Sequence, residues 1–271
     1  MENNNGMDIQ SLVTAVKNSR KYTDRVLTNV LSLPSELLKC EEQIVWAKAT
    51  VPAAYVMDEG SFCRYYFFTA EGDASPLMLP ESSDKTIICE MYGKAGSEQA
   101  LRAVHEKLLH AGFVYKACFQ RMNIRREQIC MTGECPAEYS YTMQPSPADA
   151  CALWNAQIAD ITGMPDEQEC REMIDRQLVF AVEKAGELAA AMMLEKAGKR
   201  YTVRHVAVSP QHRRKGLGRY LMQQALGQLP EDALTMLWVE KDNLSAVRLY
   251  ESMGFVADGM RSVQWIHAER G

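Results

Sequence analysis

The chain has 271 residues, 47% hydrophobic and 24% charged, with a formal net charge of −5, a composition that suits a globular protein of two domains or one large one. The acidic balance excludes an overall basic field that would draw nucleic acid or an anionic membrane, and MENNNGMDIQ at the start has neither the basic segment nor the apolar core of a signal peptide. The eight cysteines (Cys40, Cys63, Cys89, Cys118, Cys130, Cys135, Cys151 and Cys170) form no framework, which leads us to expect free thiols in a cytoplasmic protein, and Cys130-x4-Cys135 lacks the second Cys/His pair that a zinc site needs.

In chain order, residues 1–6 are polar and read as a frayed end. Ile9, Leu12, Val13 and Val16, then Val26, Leu27, Val30 and Leu31, recur at helical spacing with a break near Asn18–Ser19. Pro34 ends that segment, and Ser35–Cys40 reads as a short helix. Ile44–Val51, Ala53–Met57, Arg64–Thr69 and Thr86–Met91 read as strands, with turns at Pro52 and Glu59-Gly60 and a proline-bearing loop over Ser75–Ser83. Ser97–Ala111 reads as a helix closed by Gly112-Phe113, and Val114–Ile124 as the strand after it.

The stretches Thr132–Pro136 and Gln144–Pro147 are rich in turn residues and mark a junction. Asp149–Ile161 and Asp166–Gln177 read as helices, Leu178–Glu183 and Leu188–Glu195 as a hairpin, and Tyr201–Val208 as a strand. The apolar run Leu188–Leu194 is far shorter than the roughly 20 residues that span a bilayer. Helices followed by strands and a βαβα tail imply a mixed α/β sheet.

The most informative segment follows Val208. Ser209-Pro210 stops the strand, a basic loop ends in Gly216-Leu217-Gly218, and Tyr220, Leu221, Ala225, Leu226 and Leu229 then recur at helical spacing. A helix N-terminus has unpaired N–H groups and a partial positive charge, and glycine lets an anion approach the backbone closely. Leu234–Val239 reads as a further strand. Asn243–Phe255 reads as a helix with Asn243 as N-cap and Gly254 as left-handed terminator, placing Asn243, Ala246, Val247 and Tyr250 on one face.

VAVSPQHRRKGLG resembles the acyl-CoA-binding motif R/Q-x-x-G-x-G/A of the GNAT superfamily of N-acetyltransferases, here filled by Arg213, Gly216 and Gly218. NLSAVRLYESMGF resembles that family's next motif, with an Asn, an Ala, Leu-Tyr and a closing Gly-Phe. The resemblance is close over about 178–267, reaches loosely back to about 137, and does not cover 1–135. It implies a mixed α+β GNAT fold over an acetyltransferase domain, 136–271, preceded by an α/β domain, 1–135. A helix ending in Gly-Phe before a strand occurs in both halves. The N-terminal domain is therefore either a degenerate copy of the same fold, giving a tandem protein, or an unrelated domain using a common helix cap. No R-x-x-G-x-G counterpart lies between Lys85 and Ser97, so this half is not expected to bind CoA in the family's manner.

The resemblance further implies acetyl-CoA as acyl donor, without a metal. Backbone amides of Arg213, Arg214, Lys215, Gly216, Leu217, Gly218 and Arg219 would hold the pyrophosphate. The edge of Val206, Ala207 and Val208 would pair with pantetheine as an added strand, and Asn243 would cap its helix and touch the cofactor. A neutral primary amine would attack the thioester directly, a backbone N–H near Val208 would stabilise the oxyanion, and Tyr250 would protonate the leaving thiolate. The base is open among His205, Glu195 and Glu240. The acceptor, a small molecule or a peptide, is open, as is the choice between monomer and homodimer; neither nucleic acid nor membrane is expected as a partner.

Two rivals bind phosphate differently. A dinucleotide fold would use Gly216-x-Gly218 with Glu240 or Asp242 on the ribose, but Leu221 stands at the third glycine position, and no second mononucleotide half follows. A Walker loop fails because Lys215 precedes the glycine. A third alternative keeps the fold and CoA but serves as a sensor or interaction module, and a fourth uses a different acyl-CoA.

Overall fold

The structure is a computed structural model that describes residues 9–19, 26–30, 37–49, 53–70, 73–94, 98–129, 134–158 and 163–267. The expectations for residues 1–6, Leu31, Pro34 to Glu36, Pro52, Gly96, Cys130, Thr132–Gly133 and Ala159–Ile161 lie outside these. The chain forms two compact units, Met1–Phe119 with Gly259–Gly271, and Gln120–Asp258. The division falls within strands rather than in the turn-rich stretch around 132–147.

Unit 1 runs α1 (Ile9–Ser19), β1 (Val26–Thr28), β2 (Ile44–Lys48), β3 (Ala53–Asp58), β4 (Cys63–Ala70), β5 (Ile87–Lys94), α2 (Glu98–His110) and the first part of β6 (Val114–Arg125). β2, β3 and β4 are successively antiparallel, and β4 and β5 are parallel. The alternation of β4 sends its aromatics to two cores. Tyr65 and Phe67 join Cys89, Val104, Leu108, Phe113 and Trp265 on one side. Phe68 joins Tyr55 and the α1 residues Leu12, Val13 and Val16 on the other.

One element departs from its sequence reading. Val26, Leu27 and Val30 recur at helical spacing, yet Val26–Thr28 is a strand antiparallel to β4. Five residues are too few to separate a 3.6-residue period from a chance pattern, and an open strand edge nearby outweighs helix propensity.

Unit 2 continues with β7 (Ser140–Thr142), α3 (Pro147–Gln157), α4 (Glu167–Asp175), β8 (Val179–Lys184), β9 (Glu187–Ala197), β10 (Arg200–Val208), α5 (Leu217–Gly227), β11 (Leu234–Glu240), α6 (Leu244–Ser252) and the start of β12 (Val256–His267). Strands β7 to β10 are successively antiparallel, and β10 and β11 are parallel, giving the mixed sheet expected. β7 has too short and polar a pattern to be read from sequence. Its core includes Trp154, Phe180, Ala189–Leu194, Leu221, Leu226 and Phe255. The β8–β9 hairpin turns through Ala185 and Gly186, both at positive φ (50° and 82°), as a two-residue type I′ loop requires. The helix starts follow local chemistry: Ser146 Oγ accepts from Asp149 N at 3.3 Å, and Asp166 Oδ1 from Glu169 N at 2.7 Å.

Among the described residues no helix is long and apolar enough to cross a membrane, and no cluster of His, Cys, Asp and Glu could hold a metal ion. Seven cysteines are described, all as free thiols.

Candidate active site

The site originates where two parallel strands part. β10 and β11 are in register from Arg200↔Leu234 to Val203↔Leu237, and the pairing stops there although both strands continue. The other edge of β10 stays paired with β9 to Val208↔Ala190, with a bulge between Val203 and His205. Beyond Val203, the β10 edge that faced β11 thus has no strand against it among the described residues. Along it opens a groove of about 650 Å³, bounded by Val206–Val208, the Arg213–Arg219 loop and the start of α6.

At one end of the groove lies the start of α5. Its N-cap is Gly216, at φ 79°, with no side-chain capping bond. The first intrahelical bond runs from Tyr220 N to Gly216 O. The amides of Leu217, Gly218 and Arg219 are therefore free of side-chain acceptors at the positive end of the helix dipole. Arg214 is also left-handed, at φ 63°, a conformation that costs an L-residue about 1 kcal/mol and that recurs in loops whose N–H groups converge on an anion.

The basic side chains are divided among tasks. Arg213 Nε donates to Val208 O at 3.2 Å, and its Nη2 to Gln157 Oε1, which braces the loop against β10 and α3. Arg219 reaches Ser252 O at 3.3 Å, tying α5 to the end of α6. Arg214 is exposed on the groove wall. Lys215 is turned elsewhere: its Nζ donates to Tyr139 Oη at 3.0 Å, and it is the one member of the expected Arg213–Arg219 set that does not line the groove. Tyr139 Oη also meets His212 Nδ1 at 3.1 Å.

The opposite wall belongs to α6. Asn243 Oδ1 accepts from Ala246 N at 3.2 Å, so Asn243 caps this helix while lining the groove. Tyr250 lines it from the next turns, 7% exposed, its ring tilted against Phe255 at 5.8 Å. Burial pushes its phenol up to about 12. Gly254 ends this segment at φ 96°.

The groove thus gathers Val206, Ala207, Val208, Arg213, Arg214, Gly216, Leu217, Gly218, Arg219, Asn243 and Tyr250, and adds Gln157, His212, Met222, Ser245, Ala246 and Leu249. Met222 follows Gly218 by one helical turn and was legible from α5 periodicity. Gln157 comes from 56 positions upstream of Arg213, and no local signal announces it.

The base candidates lie outside this groove. His205 is 2% exposed, its ring against Trp154 at 5.7 Å; burial, aided by the Arg204 charge, lowers its pKa to about 4. The alternation of β10 sends it to the core face with Tyr201 and Val203. Glu195 and Glu240 are exposed and do not line the groove. An open strand edge leading to a cluster of unclaimed amides fits an elongated ligand with an amide-bearing arm and an anionic end.

Residues 149–255 match the model of the acetyltransferase (GNAT) family. The [ribosomal protein bS18]-alanine N-acetyltransferase of Escherichia coli (strain K12) is 34% identical over 83 residues, covering 30% of this chain and 56% of that protein. The streptothricin acetyltransferase of Streptomyces lavendulae is 36% identical over 95 residues, 34% of this chain and 50% of that one. The chain thus spans about half the length of these curated relatives. Among solved structures, a tandem GNAT protein from the clavulanic acid biosynthesis pathway is similar in fold, with a TM-score of 0.52 at 15% identity over 81% of this chain and 79% of that one.

Proposed function

We propose, from the match of residues 149–255 to the acetyltransferase (GNAT) family model, that the protein is an acetyl-CoA-dependent N-acetyltransferase acting on a primary amine. The observation that carries this reading is the groove itself, an unpaired β10 edge running to an uncapped helix start. CoA has the matching parts: amides in its pantetheine arm for the strand edge, and a pyrophosphate for the α5 terminus. When bound, its thioester supplies the activated acyl group.

On this reading the α5 amides and Arg214 hold the pyrophosphate, while Arg213 and Arg219 keep the loop and α6 in place. The Val206–Val208 backbone holds the arm, and an N–H near Val208 stabilises the oxyanion. Tyr250, kept protonated by burial, gives its proton to the departing thiolate, and the proton that the amine nitrogen sheds on forming the amide restores it. Lys215 positions Tyr139 rather than touching the cofactor. The named activities of the relatives, on a ribosomal-protein alanine and on streptothricin, support an acceptor among amines of protein or small-molecule origin. The division into an N-terminal α/β domain, 1–135, and an acetyltransferase domain, 136–271, belongs to the same proposal, and unit 1 is read as a degenerate copy of the fold.

The test is a thermal titration with acetyl-CoA, CoA and NAD on the wild type and on Gly216→Asp, which sets a carboxylate among the α5 amides. Ligand at about 100 times its dissociation constant adds roughly 2.7 kcal/mol of stability. A rise with both CoA species that the variant loses is expected. No shift with CoA at millimolar concentration would overturn the reading, and a shift with NAD alone would revive the dinucleotide fold. Thiol release from acetyl-CoA in the presence of a panel of amines separates an enzyme from a CoA-binding sensor.

A further inference from the structure

We propose that unit 1 contains a second cleft built like the groove of unit 2, and that its ligand is the chain's own segment Val26–Val30. The strands β2, β3, β4 and β5 repeat the pattern of β8, β9, β10 and β11: two antiparallel pairings, then a parallel one. The parallel pairing again ends early. β4 and β5 are in register only from Cys63↔Ile87 to Tyr65↔Cys89, although β4 runs on to Ala70 and β5 to Lys94.

In unit 2 the edge released beyond the last pair lines the groove. In unit 1 it is covered. β1 pairs with it antiparallel, Val26↔Ala70, Leu27↔Thr69 and Thr28↔Phe68. Where the backbone ladder ends, the Asn29 carboxamide continues it. Its Nδ2 donates to Tyr65 O at 2.8 Å, and its Oδ1 accepts from Phe67 N at 2.9 Å. The same Nδ2 lies 3.6 Å from Cys89 Sγ on β5. Asn29 is 5% exposed and so sits in the fork itself, touching both strands just past their last pair. Thr28 Oγ1 donates to Phe67 O at 2.6 Å and accepts from Val30 N at 3.0 Å, fixing the turn of chain that delivers the carboxamide.

The chemistry of this cleft suits an amide, and the amide that fills it is the chain's own. It presents one acceptor, Tyr65 O, and one donor, Phe67 N, to a single group, and a primary carboxamide satisfies both. A carboxylate would set an oxygen against Tyr65 O. The pyrophosphate end of the unit 2 groove has no counterpart: residues 73–86, between β4 and β5, contain no helix. The cleft of unit 1 is thus closed in cis, and the chain binds one acyl-CoA, in unit 2. The parallel with unit 2 rests on the acyl-CoA reading of that unit; the seating of Asn29 does not.

Amide hydrogen exchange on the full chain, with and without acetyl-CoA, tests this. Phe67 and Thr69 present their N–H groups to the edge that β1 covers, since alternate amides share an edge. In the free protein both amides exchange about 100-fold or more slowly than unstructured ones, and Asn29→Asp speeds both while leaving Val206–Val208 unchanged. Acetyl-CoA then slows Val206–Val208 and leaves residues 66–70 as they were. Unprotected exchange at Phe67 and Thr69 in the free protein overturns the proposal, as does acetyl-CoA protection at 66–70. If Asn29→Asp does not fold, the wild-type rates at these two amides decide. If acetyl-CoA protects neither strand, the acyl-CoA reading of unit 2 fails, while the rates in the free protein still decide whether β1 and Asn29 are seated.

Discussion

Tyr250 joins a motif position to a measurable environment. Its phenol, raised to about 12 by burial, carries its proton at neutral pH, and passing it to a thiolate of pKa about 8.5 requires local groups that favour the transfer. On the proposed mechanism, Tyr250→Phe keeps the ring packing on Phe255 and loses only the proton: kcat falls by about 10²-fold, the lower end of general acid catalysis, with the KM for acetyl-CoA nearly unchanged. Gly218 separates fold from binding. A Cβ there would lie 3.6 Å from Val208 Cγ2 and 3.7 Å from Leu249 Cδ2, ordinary contacts between two groove walls, so Gly218→Ala folds with little loss of stability. Calorimetric titration then shows acetyl-CoA binding at least about tenfold weaker, because the methyl group stands where a ligand must approach the backbone. His205 gives a pH signature. Its imidazole takes a proton near pH 6.5 when unfolded and only near 4 in the fold, so the unfolded state binds the proton first as pH drops. The stability associated with neutral His205 is full above about pH 6.5 and is lost as pH falls toward 4, on the order of 3 kcal/mol in all. Urea unfolding at pH 7 and pH 4.5 checks this: His205→Leu loses less stability between the two than the wild type.

Helix and hairpin boundaries were legible because their causes are local. Asn243 caps α6 with its own side chain, and Gly254 and Gly112 adopt the left-handed φ (96° and 85°) that ends a helix. The hairpin at Lys184–Glu187 falls where Ala185-Gly186 interrupts two apolar runs. Ala185 holds φ 50°, unfavourable for alanine and well tolerated by asparagine, so Ala185→Asn raises stability by about 0.5–1 kcal/mol in chemical denaturation. β1 was not legible, because what makes Val26–Thr28 a strand is the vacant edge of β4, some 40 residues away in sequence. The loop at Arg213–Arg219 is legible only in outline. Its glycines and helix start could be seen, but the diversion of Lys215 to Tyr139 depends on an aromatic 76 positions earlier.

Two units repeat one strand order, while among the described residues the uncapped helix start and basic loop assigned to an anion in the proposed function occur in one of them. Titration calorimetry should therefore find one equivalent of acetyl-CoA per chain; two equivalents would mean that the cleft in unit 1 is open. The sequence by itself determined the mixed sheet, the order of its C-terminal elements, and the residues of the α5 start and α6 face, because those depend on periodicity, capping and motif spacing within a few turns of chain. Only the tertiary structure decided that β10 and β11 part after Val203, that Gln157 braces Arg213, that His205 faces the core, and that Asn29 fills the fork of unit 1. Each of these is a contact or a lost contact between segments far apart in the chain, and its free energy depends on a partner's position that no local pattern encodes.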